Sequence, residues 1–562
     1  MTPNRTPEYR LDRSTSGGAL LGLSVPQLFF LAAGVASIVL LPTTTRSAAG
    51  LLAGAGLAAG CTVAAFGRIG AEPVYTWVLI LSRFVLHRTM GRTAWMAPLP
   101  LLTGTPPNPA SRHTNRHQSE ARRRRTATLL PACLRGLELV TVPRPLWAGA
   151  EQTLTPIGLV RDRRRETLTV LMNVRGGGFA LREPAEQHAA MQVWGQVLAQ
   201  FGRESSPVIR LGWTLYSAPI HPGRSDGHLE WLAGHSNDAL RLDAVRAAYA
   251  IMLTDTVLQR HELRIWITVA AGSMPTSRRE RHQRPSTRGV RPGPADAALA
   301  AAKALSDRCA AAGLTVSPPL SPVQIAEATR IQADPTIAPL LASLERGLAQ
   351  HAGIASTQFM HNAHASLNAK QPPPTEGTVG MVQAGPMAIA AHWDCVHVDG
   401  VWHRAFWVSH WPGTITDPGW LHPLLTGCPG IRTLAVSYEP IAPRVSRRKI
   451  TAEAVSVNSQ LQLRERHELR VPVDLQHAHQ DIDQRESELA AGHAEVGLLA
   501  LIVLTNTSRE RLDDDSQTLL DQAAQIGVTD LRPLHARHDA AWACTLPLGR
   551  VPDHEILQGL TG

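Results

Sequence analysis

Apolar and polar positions along the chain fall into two regimes. Two apolar runs come first, Gln27 to Leu41 and Ser47 to Phe66, and neither contains a charged residue. A hydrocarbon core needs roughly 20 apolar residues per helix, and only helices satisfy every backbone group across so short a span. With only Pro42-Thr-Thr-Thr-Arg46 between them, the runs predict a hairpin of two transmembrane helices. Gly50, Gly54, Gly56 and Gly60 in the second run allow a partner helix to approach closely. Tyr75, Trp77, Phe84 and Trp95 then alternate with Arg83, His87, Arg88 and Arg92. Both residue types settle at the headgroup level, so this stretch predicts an interfacial helix, with a buried helix of the soluble part as the alternative.

The second regime mixes strand and helix periods. Strands are expected at Leu137 to Val142, Thr155 to Val160, Thr167 to Val174, Val208 to Ala218 and Leu263 to Ala271, with helices at Pro184 to Phe201, Asn237 to Arg260, Ala295 to Ala312 and Pro322 to Gln350. Further on, strands are expected at Met387 to His397, Trp402 to His410, Arg432 to Tyr438, Val496 to Thr507 and Val528 to His535. Helical material is expected from Pro443 to His493 and Asp513 to Gln525. This predicts an α+β fold: a membrane hairpin with its interfacial helix over 1–97, a basic linker over 98–131, a first α+β domain over 132–350, a linker over 351–378 and a second α+β domain over 379–562. Each half places a hydrophobic strand after a long helix, LRIWITVAA against GLLALIVLT, which raises the expectation of duplicated ferredoxin-like units.

Charge changes the picture at the start of the chain. Residues 1–125 hold 14 arginines against Glu8, Asp12, Glu72 and Glu120, a net of +10, and residues 126–562 hold 41 basic against 42 acidic residues, a net of −1. The surplus therefore flanks the apolar runs. Arg5, Arg10 and Arg13 precede the first, Arg68, Arg83, Arg88 and Arg92 follow the second, and the turn has Arg46 alone. That bias sets both ends on the cytoplasmic side of the inner membrane, with the bulk of the chain there too. Arg83, Arg88 and Arg92, together with the linker residues Arg122, Arg123, Arg124 and Arg125, are the candidate contacts to anionic lipid headgroups. The Arg-rich segment 273–294 reads as a solvated loop, because it holds no aromatic side chain on which a base could stack.

Candidate chemistry is sparse. Three of the 55 basic side chains are lysine (Lys303, Lys370, Lys449), which leaves 52 arginines, and no lysine precedes Ser or Thr, which excludes a P-loop. The six cysteines include no C-x-x-C pair, as expected in a reducing compartment. His392, Cys395, His397 and His403 form the best metal-ligand group, but a period of two puts Cys395 and His397 on one face and His392 on the other. Gly176-Gly-Gly178 reads as a turn, Asp513-Asp-Asp515 as a helix start and Asp539 as a helix cap. No catalytic residue, cofactor site or metal site is assigned, and a non-enzymatic role is expected.

Several segments resemble a family of actinobacterial conjugation proteins found beside type IV secretion-like ATPases. They are Gly22-Leu-Ser-Val-Pro-Gln-Leu28, Val193-Trp-Gly-Gln-Val-Leu-Ala199, Arg264-Ile-Trp-Ile-Thr-Val269, Gly497 to Thr505 and Ala540 to Gly549. In that family a PrgI-like membrane hairpin precedes a body similar to the non-motor amino-terminal domain of VirB/TrbE/CagE-class conjugation ATPases. The resemblance implies a membrane-anchored scaffold, oligomeric within a complex of other membrane subunits, that docks a separately encoded motor ATPase. Direct nucleic-acid binding is not expected, because the basic surplus flanks the apolar runs instead of lining a folded face. Two other readings stay open on the sequence: an EccE-like membrane subunit of type VII secretion, and a membrane-anchored enzyme such as a glycosyltransferase.

Overall fold

A computed structural model of the chain describes residues 25–69, 72–97, 129–142, 156–176, 178–203, 206–219, 248, 259–271, 293–341, 380–411, 419–427, 430–468, 470–491, 493–528 and 530–552. The first apolar run lies in α1 (Val25–Thr45) and the second in α2 (Ala48–Phe66), packed against each other as a hairpin. The expected five-residue turn shrinks to two, because α1 runs on through Pro42. The Thr43 and Thr44 hydroxyls fold back and donate to the carbonyls of Val39, Leu40 and Leu41 at 2.9–3.1 Å. Arg46 turns the chain at φ 46°, and the Ser47 side chain caps α2. Of the glycines expected to admit a neighbour, Gly54 does so, since a Cβ there would lie 2.8 Å from the Ser37 carbonyl oxygen, whereas Gly56 and Gly60 face open space.

A two-residue ribbon, β1 (Arg68–Ile69) with β2 (Glu72–Pro73), leads into α3 (Val74–Thr89) and then β3 (Ala94–Met96). The first half continues with β4 (Leu137–Val142), β5 (Ile157–Asp162), β6 (Thr167–Arg175), α4 (Pro184–Phe201), β7 (Val208–Pro219), β8 (Gln259–Ala270), α5 (Pro294–Ala311), β9 (Thr315–Pro319) and α6 (Pro322–Ala333). The second comprises β10 (Ala388–Ala391), β11 (Val396–Val398), β12 (Val401–His410), β13 (Ile431–Pro440), α7 (Pro443–Arg466), α8 (Val473–Ala490), β14 (Val496–Asn506), α9 (Arg509–Gln525), β15 (Asp530–Pro533) and α10 (His538–Thr545).

All strands from β3 onward join one antiparallel sheet in the order β3-β10-β11-β12-β14-β13-β7-β8-β6-β5-β4. Its centre is the pair β7 and β13, and its two sides repeat each other. In each half a three-strand meander comes first, and the fifth strand inserts between the third and the fourth. A helix then leads to a sixth strand on the outer edge of the third, β9 on β6 and β15 on β12. From β6 and from β12 the order is strand, helix, strand, then a further strand, helix and strand, but α7 and α8 intervene between β13 and β14, and the first helix of the second set is only His422–Thr426. Registers agree residue by residue: Val170, Ile267 and Leu211 stand side by side across β6, β8 and β7, as Phe406, Ile502 and Leu434 do across β12, β14 and β13. The two hydrophobic segments therefore match one residue away from their end-to-end alignment, and a slip of one inverts every side chain in a strand.

Three cores follow. On one face, Val170, Leu211 and Ile267 pack under α4 and α5, and Phe406, Leu434 and Ile502 pack under α9 and the helix His422–Thr426. The other face has a single core drawn from both halves, including Leu137 of β4, Ile389 of β10, Ile325 of α6 and Trp542 of α10. Strands at opposite ends of the order thus share one interior, so the sheet curls round it. Gly212 sits at the central seam, where a Cβ would run into both the Trp266 ring and the Val436 carbonyl.

Several boundaries move for local reasons. The expected helix Pro322 to Gln350 is interrupted after Ala333, where Asp334 precedes a proline, is driven to φ −140°, and its carboxylate accepts from Thr336 N at 3.1 Å; the chain is helical again over 338–341, and 342–350 lie outside the described residues. Met387 to His397 is two strands separated by a tight turn in which His392 N donates to Cys395 O at 2.9 Å. The helical stretch Pro443 to His493 is broken near Glu468, at φ 51°, into α7 and α8. β8 begins at Gln259, inside the expected helix Asn237 to Arg260, the rest of which is described only at Ala248. α9 starts at Arg509 with Ser508 as its cap, so Asp513 falls in its second turn, and α10 starts at His538 with no side-chain cap, which puts Asp539 in its first turn rather than at the cap. β3 and β9 have no counterpart in the sequence pattern; β9 contains two prolines, which hide an edge strand.

Candidate membrane-docking surface

α3 presents two unlike faces. Trp77 and Phe84, seven residues apart and hence on one side, are half-buried against the body. Val78, Leu79, Leu81, Val85 and Leu86 point outward and are 48–62% exposed. This apolar face adjoins the hairpin, where Phe29 is 69% and Leu52 73% exposed, and the Phe30 and Tyr75 rings join α1 to α3 with centroids 6.1 Å apart. Of the seven expected headgroup contacts, Arg83 and Arg88 occupy exposed positions on α3 and Arg92 follows in the turn. The other four, Arg122, Arg123, Arg124 and Arg125, lie outside the described residues, as does most of the loop 273–294. Among the described helices, Ala48–Phe66 alone is long and apolar enough to cross a bilayer. The apolar stretch of α1, Gln27 to Leu41, is shorter, so the expected pair of helices is present but the expected pair of full-length spans is not.

The seat of α3 is aromatic. The turn between β10 and β11 raises Trp393, whose ring stacks on His535 at 5.7 Å and 13°, while Phe84 meets Trp393 edge-on at 5.5 Å and Trp77 meets His535 at 5.5 Å. The Trp393 carbonyl accepts from Ala536 N at 2.7 Å, which fixes the turn to the segment after β15. Burial above all holds the His535 imidazole below its ordinary pKa, so it packs as a neutral ring.

Beside this seat lies a charged cluster. The Asp394 carboxylate accepts from Arg509 at 2.9 and 3.0 Å and from Arg404 at 3.1 Å, and Arg404 also reaches Asp513 at 2.7 Å and Ser516 at 3.1 Å. Burial pushes the Asp394 carboxyl up, but the Arg509 hydrogen bonds, a backbone amide and the two guanidinium charges together leave it below the usual carboxylate range. Arg509 lies over the Trp402 ring at 5.8 Å, and His392 and His397 pack on that ring at 5.4 and 4.3 Å.

The four residues weighed as metal ligands from the sequence, His392, Cys395, His397 and His403, do not share one site. Cys395 is buried in the core under α9, and His403 is buried on the opposite face, Nδ1 bonded to Thr505 Oγ1 at 2.8 Å and Nε2 to the Ala333 carbonyl at 3.1 Å. Among the described residues no three His, Cys, Asp or Glu side chains converge as metal ligands. His538, the residue before the expected cap, is buried and its Nδ1 accepts from Ala405 N at 3.1 Å. Burial takes both His403 and His538 down to about 3. Sequence reasoning misses Trp393, His535 and the Asp394 cluster, because partners such as Asp394 and Arg509, 115 residues apart, leave no spacing to read.

No family model matches this chain, and no curated protein matches it either.

Proposed function

We propose that the chain is a membrane-anchored scaffold of a conjugation, type IV secretion-like transport complex, and that it docks a separately encoded motor ATPase. The observation that carries this reading is the apolar surface shared by α1, α2 and α3, joined directly to a rigid sheet: such a surface calls for lipid or protein to cover it. In this arrangement both helices of the hairpin enter the inner membrane, both chain ends and the body are cytoplasmic, and α3 lies along the headgroups with Arg83, Arg88 and Arg92 at its rim. The conjugation assignment rests on the sequence resemblance and on the missing P-loop, which leaves energy transduction to another chain. The test is to solubilise the membrane fraction in detergent and purify the protein. It is expected to co-purify with the ATPase encoded beside it and to hydrolyse no ATP alone, and recovery of a free soluble protein would refute the anchor. Labelling of Thr44→Cys but not Thr126→Cys from outside intact cells is the expected topology.

A further inference from the structure

We propose that a cleft on the helical face of the sheet, at the junction of the two halves, binds a small phosphate-bearing anion. It is a cavity of about 300 Å³ lined by Gln196 and Gln200 of α4, Arg203 just beyond it, Arg308 of α5, Pro443 at the start of α7, and His493 on the approach to β14. The first half thus supplies both guanidinium groups, and the second supplies the imidazole and a helix start. The walls close where Gly202 meets Ala494, so tightly that a Cβ on Gly202 would lie 2.8 Å from the alanine methyl.

The charge of this cleft is one-sided. None of its lining residues is acidic, and no ion pair engages Arg203 or Arg308 among the described residues. Of the carboxylates next to it in sequence, Asp307 is engaged by Lys303, and Glu495 by Arg485, at 2.7 Å, and by Ser446, while Glu204 lies outside the described residues. α7 opens with no acidic residue in its first turn and no side-chain cap, so its free amide end adds positive potential. Two guanidinium forks fit the several oxygens of a phosphate better than a single point charge would. The volume is at the small end for ligand pockets, and among the described residues no Phe, Tyr or Trp ring lines it, which favours a phosphate or diphosphate group over a nucleobase.

The site belongs to the body, so its test is independent of the membrane reading. The full chain, in a maltoside detergent that carries no phosphate, is titrated calorimetrically with inorganic pyrophosphate, orthophosphate and citrate. Saturable binding of pyrophosphate, stronger than that of citrate, is expected, and Arg203→Gln with Arg308→Gln should weaken it about tenfold or more through the lost charge-assisted hydrogen bonds. Arg308→Lys, which keeps the charge and loses the fork, should weaken it less and leave the thermal unfolding curve in place. Absence of saturable heat, equal affinity for citrate, or an unchanged affinity in the double variant would each overturn the proposal.

Discussion

Asp394 holds two guanidinium groups at once, and Arg404, only 11% exposed, depends on it and on Asp513 for neutralisation. Asp394→Asn is therefore expected to cost about 1.5–3 kcal/mol at neutral pH, the range for hydrogen bonds to charged groups. The folded carboxyl titrates below its ordinary 3.8, so this contribution is complete above that value and drains away as the pH falls through the folded pKa. His403 and His538 act in a different window. Their folded values of about 3 lie below the ordinary 6.5, so the unfolded chain binds protons that the native state refuses. Stability is full above pH 6.5 and falls on acidification by up to about 1.4 kcal/mol per pH unit for each ring. Urea midpoints measured from pH 7.5 to 3 should decline from pH 6.5 downward. His538→Gln should flatten the upper part of that curve and Asp394→Asn only the part below 4; a midpoint constant between pH 7 and 5 would contradict both assignments of burial. At this scale the sequence is least informative: His403 and Cys395 stand out as candidates, but which face of which strand they occupy depends on a register that only the folded sheet sets.

Among the elements, α3 illustrates how a mixed pattern resolves. Its aromatic and basic residues predict an interface, and the helix forms where expected, yet Trp77 and Phe84 face the protein and the aliphatic residues face outward. Aromatic rings at the interface and aromatic rings in a seat look alike in sequence, because both need an apolar body with a polar edge. A double-mutant cycle of Phe84→Ala with Trp393→Ala, followed by urea unfolding, should return a coupling of about 0.5–1.5 kcal/mol, the usual worth of an edge-to-face pair beyond its buried area; additive losses would mean that α3 is not seated there. Most of the long strands and α4 are legible almost to the residue, since burial on one or both faces writes a strong period; β8 is the exception, starting four residues before the expected Leu263. β9, with Pro318 and Pro319, and β3, a three-residue edge, are not, because pairing with a distant strand defines them.

For the molecule as a whole, one sheet and one shared core tie the halves together. Leu137 and Leu171 from the first half and Val396, Ala405 and Trp542 from the second lie in the same interior. The division at 351–378 that the sequence suggests therefore does not separate two independent packing units. Thermal unfolding followed by far-ultraviolet circular dichroism and by tryptophan fluorescence should give coincident single transitions for the body. Fragments 129–341 and 380–552 expressed separately should aggregate and should recover a soluble complex when expressed together; a well-folded single fragment would refute the shared interior. The repeat itself is hinted at by two apolar segments and no more, because the residues that correspond keep their hydrophobic character but little of their identity.

Only residues 90–93 lie between the end of α3 and β3, and β3 is stitched to β10 through Trp95 and Ile389. So short a tether leaves no room to swivel. Whatever grips the hairpin sets the compass bearing of the whole sheet, and a tilt of the anchor must turn the far edge of the body with it, as a rudder post turns its blade.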